Sequence, residues 1–358
     1  MSPSLWPALV YLLVLTLHLV VPARRVTGYV VSERTGQRLR YRLNGLAVLA
    51  LTVGAWTAAC SAGWLAWNDF YLHRWEMAAG ACVLGVVFTL AIVLPARPVA
   101  GRSLAADLYL GRLANPQAAN GRVDAKMVLY LAGAVMLELN ILSFTAHHLQ
   151  TYAADPSAGV LVYAALFTFF VIDYLAFEEV HLYTYDFMAE CVGFKLGWGC
   201  LVFYPFFYCV GLWALADSPN PHTPTPILAF FVLVFFSGWV LSRGANLQKF
   251  RFKRDPHAKA FGILDPRPIS AGELHVLTGG FWGLSRHVNY LGEILMATGL
   301  TLVLGYPLAL AAWLYPLYYV ALLVPRQAAD DARCAARYGE LWKAYCRRVP
   351  YRIVPFIY

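Results

Sequence analysis

The chain has 358 residues, of which 60% are hydrophobic and only 13% are charged, whereas a soluble domain carries about 25% charged residues. This composition excludes an ordinary soluble domain and indicates an integral membrane protein. The net charge is +8, and the seven cysteines are scattered without a C-x-x-C pair. We therefore expect neither a disulfide framework nor a metal site.

Apolar stretches that are long enough to cross a hydrocarbon core of about 30 Å as helices recur along the whole chain. Nine are found, at residues 5–21, 43–66, 75–94, 128–149, 158–177, 196–216, 226–241, 288–304 and 306–324. No basic segment precedes the first stretch, so we interpret it as a retained helix and not as a signal peptide. The expected fold is an all-α, multi-pass transmembrane bundle of nine to ten helices that forms a single domain over residues 1–358.

Lysines and arginines cluster in four segments, and the positive-inside rule places all four in the cytoplasm. The segments are residues 24–42, which include Arg34, and residues 97–126, 243–286 and 326–352. The loops on the other side of the membrane are too short to form domains. We therefore expect the chemistry, and any cofactor-binding face, on the cytoplasmic side.

Acidic residues lie at the end of the fifth span and directly after it, close to the membrane or within it. They are Asp173, Glu178, Glu179, Asp186 and Glu190. A carboxylate at such a depth has a raised pKa unless it is paired. Some of these groups are expected to be protonated near neutral pH, and a neutral carboxylic acid is a proton donor.

The segment ANLQKFRFKRDP, which follows the seventh span, is rich in cations. Two interpretations stay open for it: contact with anionic lipid head groups, or a specific ligand, which the amides of Asn246 and Gln248 favour. Lys249 and Lys253 are four residues apart and would share one face of a helix. They are candidates to hold phosphate groups.

The segment GGFWGLSRHVNYLGEILMATG opens the eighth span with glycines and polar residues. A helix that starts near Ser285 would place Arg286, Asn289, Tyr290 and Glu293 on one face. An ionisable group inside a span is costly and indicates function by default. The alternative is a structural ion pair between Arg286 and Glu293 near the membrane interface.

The last part of the sequence alternates charges with aromatic residues. Arg326 and Asp330, four residues apart, would form either a buried ion pair or a pair of active-site groups. A solvated helix face explains Asp331, but it does not explain why Trp342 and Tyr345 stand among the charges. The pattern predicts a segment that packs back onto a ligand or onto the bilayer surface.

Several of these motifs resemble, in order and spacing, the sterol reductases that reduce the carbon 14–15 or carbon 7–8 double bond, a family that includes the lamin B receptor. The motifs are TGQRLRYRLNG, DLYLGRLANP, FEEVHLYTYDF with GFKLGWGCL, NLQK, GFWGLSRHVNYLGEI and RQAADDARCAARYGELWKAYCRRVPYRIVPFIY. The likeness covers nearly the whole chain. Its most specific part is the carboxyl-terminal third, residues 243–358.

The resemblance implies a ten-helix membrane enzyme that uses NADPH, with a sterol entering from the bilayer. It implies cofactor contacts at Lys249, Lys253, Trp282, Arg286, Asn289, Tyr290, Arg326, Asp330 and Tyr345. We expect Asp330 to donate or relay the proton, with Tyr174 and Glu293 as further catalytic members. No G-x-G-x-x-G motif follows a strand, so a Rossmann domain is not expected.

The chemistry of an isolated alkene agrees with this set of residues. Such a double bond is not electrophilic enough to accept hydride, so a proton must be added first to form a tertiary carbocation. A positioned general acid contributes about 10² to 10⁴-fold to such a step. Aromatic faces stabilise a desolvated cation by roughly 1 to 2 kcal/mol.

Two departures leave the position of the reduced bond open. Glu293 stands where many family members have aspartate, and Cys200 stands where carbon-14 reductases commonly have aspartate. The segment around Cys200 is closer to some carbon-7 reductases, whereas RHVNYLGEILMA is closer to carbon-14 members. The expected activity is therefore carbon-14 reduction, with carbon-7 reduction as the alternative.

Two other classes of protein also stay open. One is an isoprenylcysteine-type methyltransferase, which shares an R-H-x-x-Y-x-G turn, and the other is a non-catalytic sterol-binding protein. Membrane lipids are expected partners and nucleic acid is not; the oligomeric state is undetermined. The short loops fit a bacterial cytoplasmic membrane or the endoplasmic reticulum membrane.

Overall fold

The computed structural model describes residues 2–32, 35–119 and 121–358. Arg34, one of the cations of the first basic cluster, lies outside the described residues. The chain divides into two compact units, Met1–His222 and Thr223–Tyr358. Each unit is built mainly from apolar helices.

The first unit alternates long helices with short connecting elements. Its elements are α1 (Trp6–Val20), β1 (Arg24–Val31), β2 (Arg38–Leu43), α2 (Gly45–Ser61), α3 (Asp69–Leu72), α4 (Arg74–Val93), α5 (Leu104–Leu110), β3 (Gln117–Ala118), β4 (Val123–Asp124), α6 (Ala125–Thr151), α7 (Ala158–Ala176), α8 (Glu178–His181), α9 (Tyr185–Met188), α10 (Phe194–Trp198), a π-helix (Gly199–Phe207) and α11 (Val210–Leu215). Helix α6 is the most buried of the long apolar helices and forms the centre of the unit.

The second unit consists of three long helices with a hairpin and a short helix at one end. Its elements are α12 (Thr225–Arg254), β5 (Ile269–Ala271), β6 (Leu274–Val276), a 3₁₀ segment (Gly280–Gly283), α13 (Val288–Val303), α14 (Leu310–Tyr338) and α15 (Glu340–Arg348). This unit contains most of the residues that the sequence analysis singled out.

Among the described residues, six helical segments are long and apolar enough to cross a membrane. They are Pro3–Val20, Arg74–Val93, Ala125–Thr151, Ala158–Ala176, Phe194–Leu215 and Thr225–Arg254. Two shorter apolar helices, Gly45–Ser61 and Val288–Val303, lie where two further spans were predicted. The chain is therefore a mostly helical, multi-pass membrane protein, which confirms the expected class.

The expectation of an all-α chain needs one correction. Within the described residues, three two-stranded antiparallel hairpins connect the helices: β1 with β2, β3 with β4, and β5 with β6. The sequence of β2, RLRYRL, alternates cations with apolar residues, and this period of two is typical of a half-buried strand. The hairpins lie outside the apolar stretches, which is why a search for spans missed them.

The first hairpin ends in a cap for α1. Arg42 Nη2 donates hydrogen bonds to the carbonyl oxygens of His18, Leu19 and Val21 at 3.0 to 3.4 Å. Asn44 Nδ2 donates to the carbonyl oxygens of His18 and Val21, and its Oδ1 lies 2.7 Å from His18 Nδ1. The last carbonyl groups of a helix have no partner within the helix. The motif TGQRLRYRLNG therefore supplies these partners.

Close helix packing organises the second unit. A Cβ atom added at Gly292 of α13 would lie 2.5 Å from the carbonyl oxygen of Gly238 and from the nitrogen of Ser242, and one added at Gly299 would lie 2.8 Å from the nitrogen of Phe235. The two backbones approach closely only because these positions lack side chains. The contacts also show that α12 and α13 are antiparallel, with Gly292 at the level of Ser242.

Candidate functional site

Two lysines define one face at the end of α12. The helix has 30 residues, or about 45 Å at 1.5 Å per residue, so its last turns extend beyond a hydrocarbon core of about 30 Å. Lys249 Nζ lies 5.3 Å from the centre of the Trp282 ring, and Lys253 Nζ donates to the Tyr338 hydroxyl at 3.2 Å. Both cations are half-buried beside an aromatic ring.

A buried glutamine ties the 3₁₀ segment to α12. Gln248, which is 1% exposed, donates from Nε2 to the carbonyl oxygen of Gly279 at 3.1 Å and accepts at Oε1 from the N–H of Phe281 at 3.0 Å. Gly280 between them has φ +60°, a conformation that favours glycine. Gln248 was interpreted as a sign of a specific ligand; the structure shows that both ends of its amide bind this segment.

Trp282 is held at three points. Its indole Nε1 donates to the carbonyl oxygen of Ala245 at 2.9 Å, its ring faces Lys249, and its carbonyl oxygen accepts from the Tyr345 hydroxyl at 2.9 Å. Tyr345 is 2% exposed, and burial raises its pKa, so its hydroxyl stays a donor. Tyr345 therefore fixes the main chain that presents Trp282.

Helix α13 begins at Val288, not near Ser285 as predicted. The N–H groups of Arg286 and His287 donate instead to the carbonyl oxygens of Tyr351 and Arg352, at 3.0 and 2.7 Å. Ser285 Oγ donates to the carbonyl oxygen of Ile353 at 2.8 Å. These bonds hold residues 285–287 outside the helix, and residues 286–287 form a turn. The predicted helix face is thus reduced to Asn289, Tyr290 and Glu293.

Arg286 and His287 converge on one carboxylate, Asp331. Arg286 Nη1 lies 2.8 Å from Asp331 Oδ2, and His287 Nε2 lies 3.2 Å from Asp331 Oδ1. The Arg286 side chain is only 9% exposed and that of Asp331 18%. The interpretation of Asp331 as part of a solvated face was wrong. Residues that are adjacent on a helix point about 100° apart, so the side chains of Asp330 and Asp331 leave α14 in different directions.

Asp330 lies beside the same histidine but less closely. Its Oδ2 is 3.9 Å from His287 Nδ1, and its side chain is 28% exposed. The opposite face of His287 stacks on Tyr290, with ring centres 5.0 Å apart and planes 18° apart. His287 therefore connects both aspartates of α14 to α13. His287 was not among the predicted site residues.

Glu293 binds within the α12–α13 contact. Its Oε1 accepts a hydrogen bond from Ser242 Oγ at 2.5 Å, and Ser242 is 4% exposed. Arg286, the suggested ion-pair partner of Glu293, is bound to Asp331 instead. The carboxylate of Glu293 is thus placed one helix turn beyond Tyr290, on the side that faces α12.

Several buried acceptor atoms of this unit have no hydrogen-bond partner within the described part of the chain. They are Oδ1 of Asn246, Oδ1 of Asn289 and Oε1 of Gln327. An unpaired buried acceptor is costly, which suggests a ligand or water as its missing partner. A ligand with hydroxyl or amide donors would satisfy these atoms, and anionic groups on it would suit Lys249 and Lys253. Arg326 and Asp330 are half-buried on α14.

The remaining predicted residue, Tyr174, belongs to the first unit. It lies near the end of α7, half-buried, with its ring stacked on His181 at a centre distance of 3.9 Å. His181 Nε2 donates to the Tyr174 carbonyl oxygen at 3.1 Å. The same region contains Glu178, which accepts from the N–H of Gly45 at 3.1 Å.

The fold and the site define a multi-pass helical membrane protein with a cationic, partly unsatisfied polar site at the ends of its last three long helices. The chain belongs to the ergosterol biosynthesis ERG4/ERG24 family, whose model matches residues 4–358. The resemblance to sterol reductases is thereby confirmed, and the match includes both compact units.

Named relatives agree with this family. The chain is 31% identical to the Delta(14)-sterol reductase of Arabidopsis thaliana over 95% of the chain and 91% of the relative. It is 33% identical to Delta(14)-sterol reductase TM7SF2 of Mus musculus over 95% and 82%. It is 30% identical to the Delta(14)-sterol reductase of Methylotuvimicrobium alcaliphilum over 96% and 80%.

Proposed function

We propose that the protein reduces the carbon 14–15 double bond of a sterol with NADPH. The relatives are named for this bond, at about 30% identity, which supports the family-level activity. The observation that carries the cofactor assignment is the combination of two half-buried lysines with three unpaired acceptors in one unit. Carbon-7 reduction is the second candidate, favoured by the buried Cys200 in the segment WGCLV.

The residues of the second unit fit NADPH in charge and in hydrogen-bonding type. Lys249 and Lys253 would bind its phosphates, and Trp282 would line the ring end. The acceptors of Asn289 and Asn246 would receive hydrogen bonds from its hydroxyl or carboxamide groups. NADPH, when bound, supplies the hydride.

Two further arginines and two tyrosines complete the proposed cofactor site. Arg326 is proposed to face the cofactor beside Asp330. Arg286 is proposed to act mainly by holding Asp331 and the 349–358 segment, because its guanidinium already binds Asp331 and the carbonyl oxygen of Pro350. Tyr290 and Tyr345 are proposed to shape the site through His287 and Trp282.

Asp330 is the proposed proton donor. Asp331 is held by Arg286 and His287, so it serves better as a fixed anion than as an acid. Asp330 lies 3.9 Å from the same histidine and is more exposed, so it is the carboxylate that is free to meet a ligand. Protonation of the alkene forms a tertiary carbocation, and hydride capture completes the reduction. Tyr174 and Glu293 are proposed further members of the proton-transfer network.

We propose nine to ten membrane spans, with the cofactor-binding face in the cytoplasm and both units acting as one reductase domain. This orientation is supported by the lysines and arginines at the carboxyl-terminal ends of α12 and α14 and in the segments after them. The sterol would enter sideways from the bilayer. A bacterial cytoplasmic membrane and an endoplasmic reticulum membrane both fit this arrangement.

The test is product analysis with purified protein in detergent. Wild type is incubated with NADPH and either an 8,14-diene sterol or a 5,7-diene sterol, and products are identified by mass and retention time. Loss of the 14-ene supports the proposal. Turnover of the 5,7-diene alone moves the enzyme to the carbon-7 class, and reduction of neither contradicts the reductase assignment.

A further inference from the structure

The segment 349–358 ends in a closed turn whose apolar tip is exposed. The carbonyl oxygen of Tyr358 accepts from the N–H groups of Arg352, Ile353 and Val354 at 2.8, 2.9 and 3.1 Å, and the N–H of Tyr358 donates to the carbonyl oxygen of Val354 at 3.0 Å. Phe356 and Ile357 at the tip are each 82% exposed. Four backbone hydrogen bonds thus close the turn that carries these two exposed apolar side chains.

The backbone at this tip is strained. Phe356 has φ +67°, a left-handed conformation that is a genuine outlier for a bulky residue. Strain of this kind persists only where the surrounding structure imposes it, and it is concentrated at functional positions. Phe356 is exposed in this conformation, with the Tyr351 ring centre 5.3 Å from its own.

The turn is attached close to the end of the apolar run of α12. Gly292 packs at the level of Ser242, which directly follows the apolar run of α12. Val288 at the start of α13 is four residues from Gly292, or about 6 Å along the axis. The 349–358 segment is bonded to residues 285–287 immediately before this start. The bonded residues therefore lie close to the end of the apolar run, and the tip, which is four residues further along the chain, lies within about 14 Å of them.

The surroundings of the tip have the charge that a membrane surface attracts. Arg352 is exposed on this segment and Arg348 directly precedes it, also exposed; Arg352 lies over the Tyr358 ring at 5.5 Å. Leu284 is 44% exposed and directly precedes residues 285–287, which bind the segment. Apolar side chains flanked by cations are typical of elements that enter the head-group region of an anionic leaflet.

We propose that the turn 352–358 inserts Phe356 and Ile357 into the cytoplasmic leaflet and anchors the 349–358 segment to anionic lipid. The anchored segment then holds Arg286 and His287, because its carbonyl oxygens accept their N–H groups. The bilayer thereby orders the pair that binds Asp331. This role is independent of which sterol bond is reduced.

The test is photo-crosslinking in nanodiscs that contain phosphatidylglycerol. Phe356 is replaced by p-benzoylphenylalanine in the full-length protein, and adducts are identified by mass spectrometry after irradiation. Phe261 is the comparison position: it is 41% exposed, and its ring lies 5.1 Å from Cζ of Arg251, which is about 15 Å beyond Leu241 along α12. We expect a phospholipid adduct at position 356 and a yield at least several-fold lower at position 261.

Equal lipid adducts at the two positions, or adducts of position 356 with protein only, would overturn the proposal. A protein adduct between two copies would assign the tip to self-association instead. Hydrogen exchange supplies the second measurement, with Phe356→Ser and Ile357→Ser combined. In nanodiscs, we expect the amides of residues 285–287 to exchange faster in the variant than in wild type. In detergent micelles that lack anionic lipid, the two proteins should exchange at similar rates. Equal exchange rates of the two proteins in nanodiscs would refute the anchoring role.

Discussion

Asn44 and Asn289 both stand at the start of an apolar helix, yet they differ in what their side chains bind. The amide of Asn44 forms three hydrogen bonds with the end of α1, so both its donor and its acceptor are used. Oδ1 of Asn289 is buried without a partner in the described part of the chain. The first asparagine completes the protein's own structure, whereas we propose that the second offers its acceptor to a ligand.

The difference shows how polar residues in a membrane protein separate into two kinds. A buried polar atom costs about 1 to 3 kcal/mol when it is left unpaired, so the chain satisfies most of them itself, as it does for the amide of Asn44. Three acceptors of the second unit that remain unpaired, on Asn246, Asn289 and Gln327, are the ones that we propose to bind the cofactor. Substitutions distinguish the two kinds: loss of a ligand-binding group should change activity or affinity, and loss of a satisfied group should change stability.

The largest effect is expected from Asp330→Asn. Loss of the proposed proton donor should lower kcat by about 10² to 10⁴-fold, with little change in thermal stability because Asp330 is outside the close pair with Arg286. Asp331→Asn is the matched comparison. It removes the partner of a buried guanidinium and should destabilise the fold by about 3 kcal/mol or more. Wild-type kcat in Asp330→Asn would contradict the assignment.

Lys249→Met should weaken NADPH binding by about 10 to 100-fold. Hydrogen bonds to charged groups contribute about 1.5 to 3 kcal/mol, and each 1.4 kcal/mol corresponds to a factor of ten. Arg251→Met, an exposed cation two residues away on α12, serves as the control and should leave the Kd within about twofold. Calorimetric titration measures both. Equal losses in the two variants would indicate only a general effect of charge.

Asn44→Ala should lower the free energy of unfolding by about 1 to 3 kcal/mol, because carbonyl groups at the end of α1 lose their donor. NADPH affinity of the folded protein should be unchanged. Denaturation in mixed detergent and titration of the same sample supply the two readings. A weaker affinity without a loss of stability would reverse the structural role given to Asn44.

The smallest effect concerns pH. Burial raises the pKa of Glu178 to about 7 from 4.5, while the N–H of Gly45 and the charge of Arg24 lower it in part. The folded state therefore holds a proton that the unfolded state releases between about pH 4.5 and 7, and stability falls as the pH rises through this window. Glu178→Gln should be more stable than wild type at pH 8 and similar to it near pH 4.

Glu179→Gln is the control for this prediction. Its carboxylate pairs with Arg24 at 2.8 Å, and the Arg24 side chain is 64% exposed, so the pair should contribute at most about 1 kcal/mol. Melting temperatures from pH 4 to 8 compare the two variants with wild type. A gain in stability at pH 8 that is the same for both variants would argue against the buried acid.

Sequence patterns predicted what depends on local chemistry. Apolar length located the membrane helices, and the four-residue spacing placed Lys249 and Lys253 on one helix face. The start of α13 was missed because the N–H groups of Arg286 and His287 bind residues more than 60 positions away, which no local pattern contains.

The role of Gln248 and the partner of Asp331 were missed for the same reason. Each depends on a contact between distant segments: Gln248 with the Gly279 carbonyl oxygen, and Asp331 with Arg286. Residue type alone cannot distinguish a satisfied amide or carboxylate from one that faces a ligand. The comparison of Asn44 with Asn289 shows the same limit, since only the fold reveals which acceptor is left unpaired.

The central claim is that the unpaired acceptors of the second unit bind NADPH. The most direct measurement is the Kd of NADPH for Asn289→Leu and for Asn44→Ala, determined by calorimetry together with the melting temperature of each protein. For Asn289→Leu, we predict about tenfold weaker NADPH binding with unchanged stability. For Asn44→Ala, we predict unchanged NADPH binding with lower stability. Wild-type affinity in Asn289→Leu would contradict the central claim.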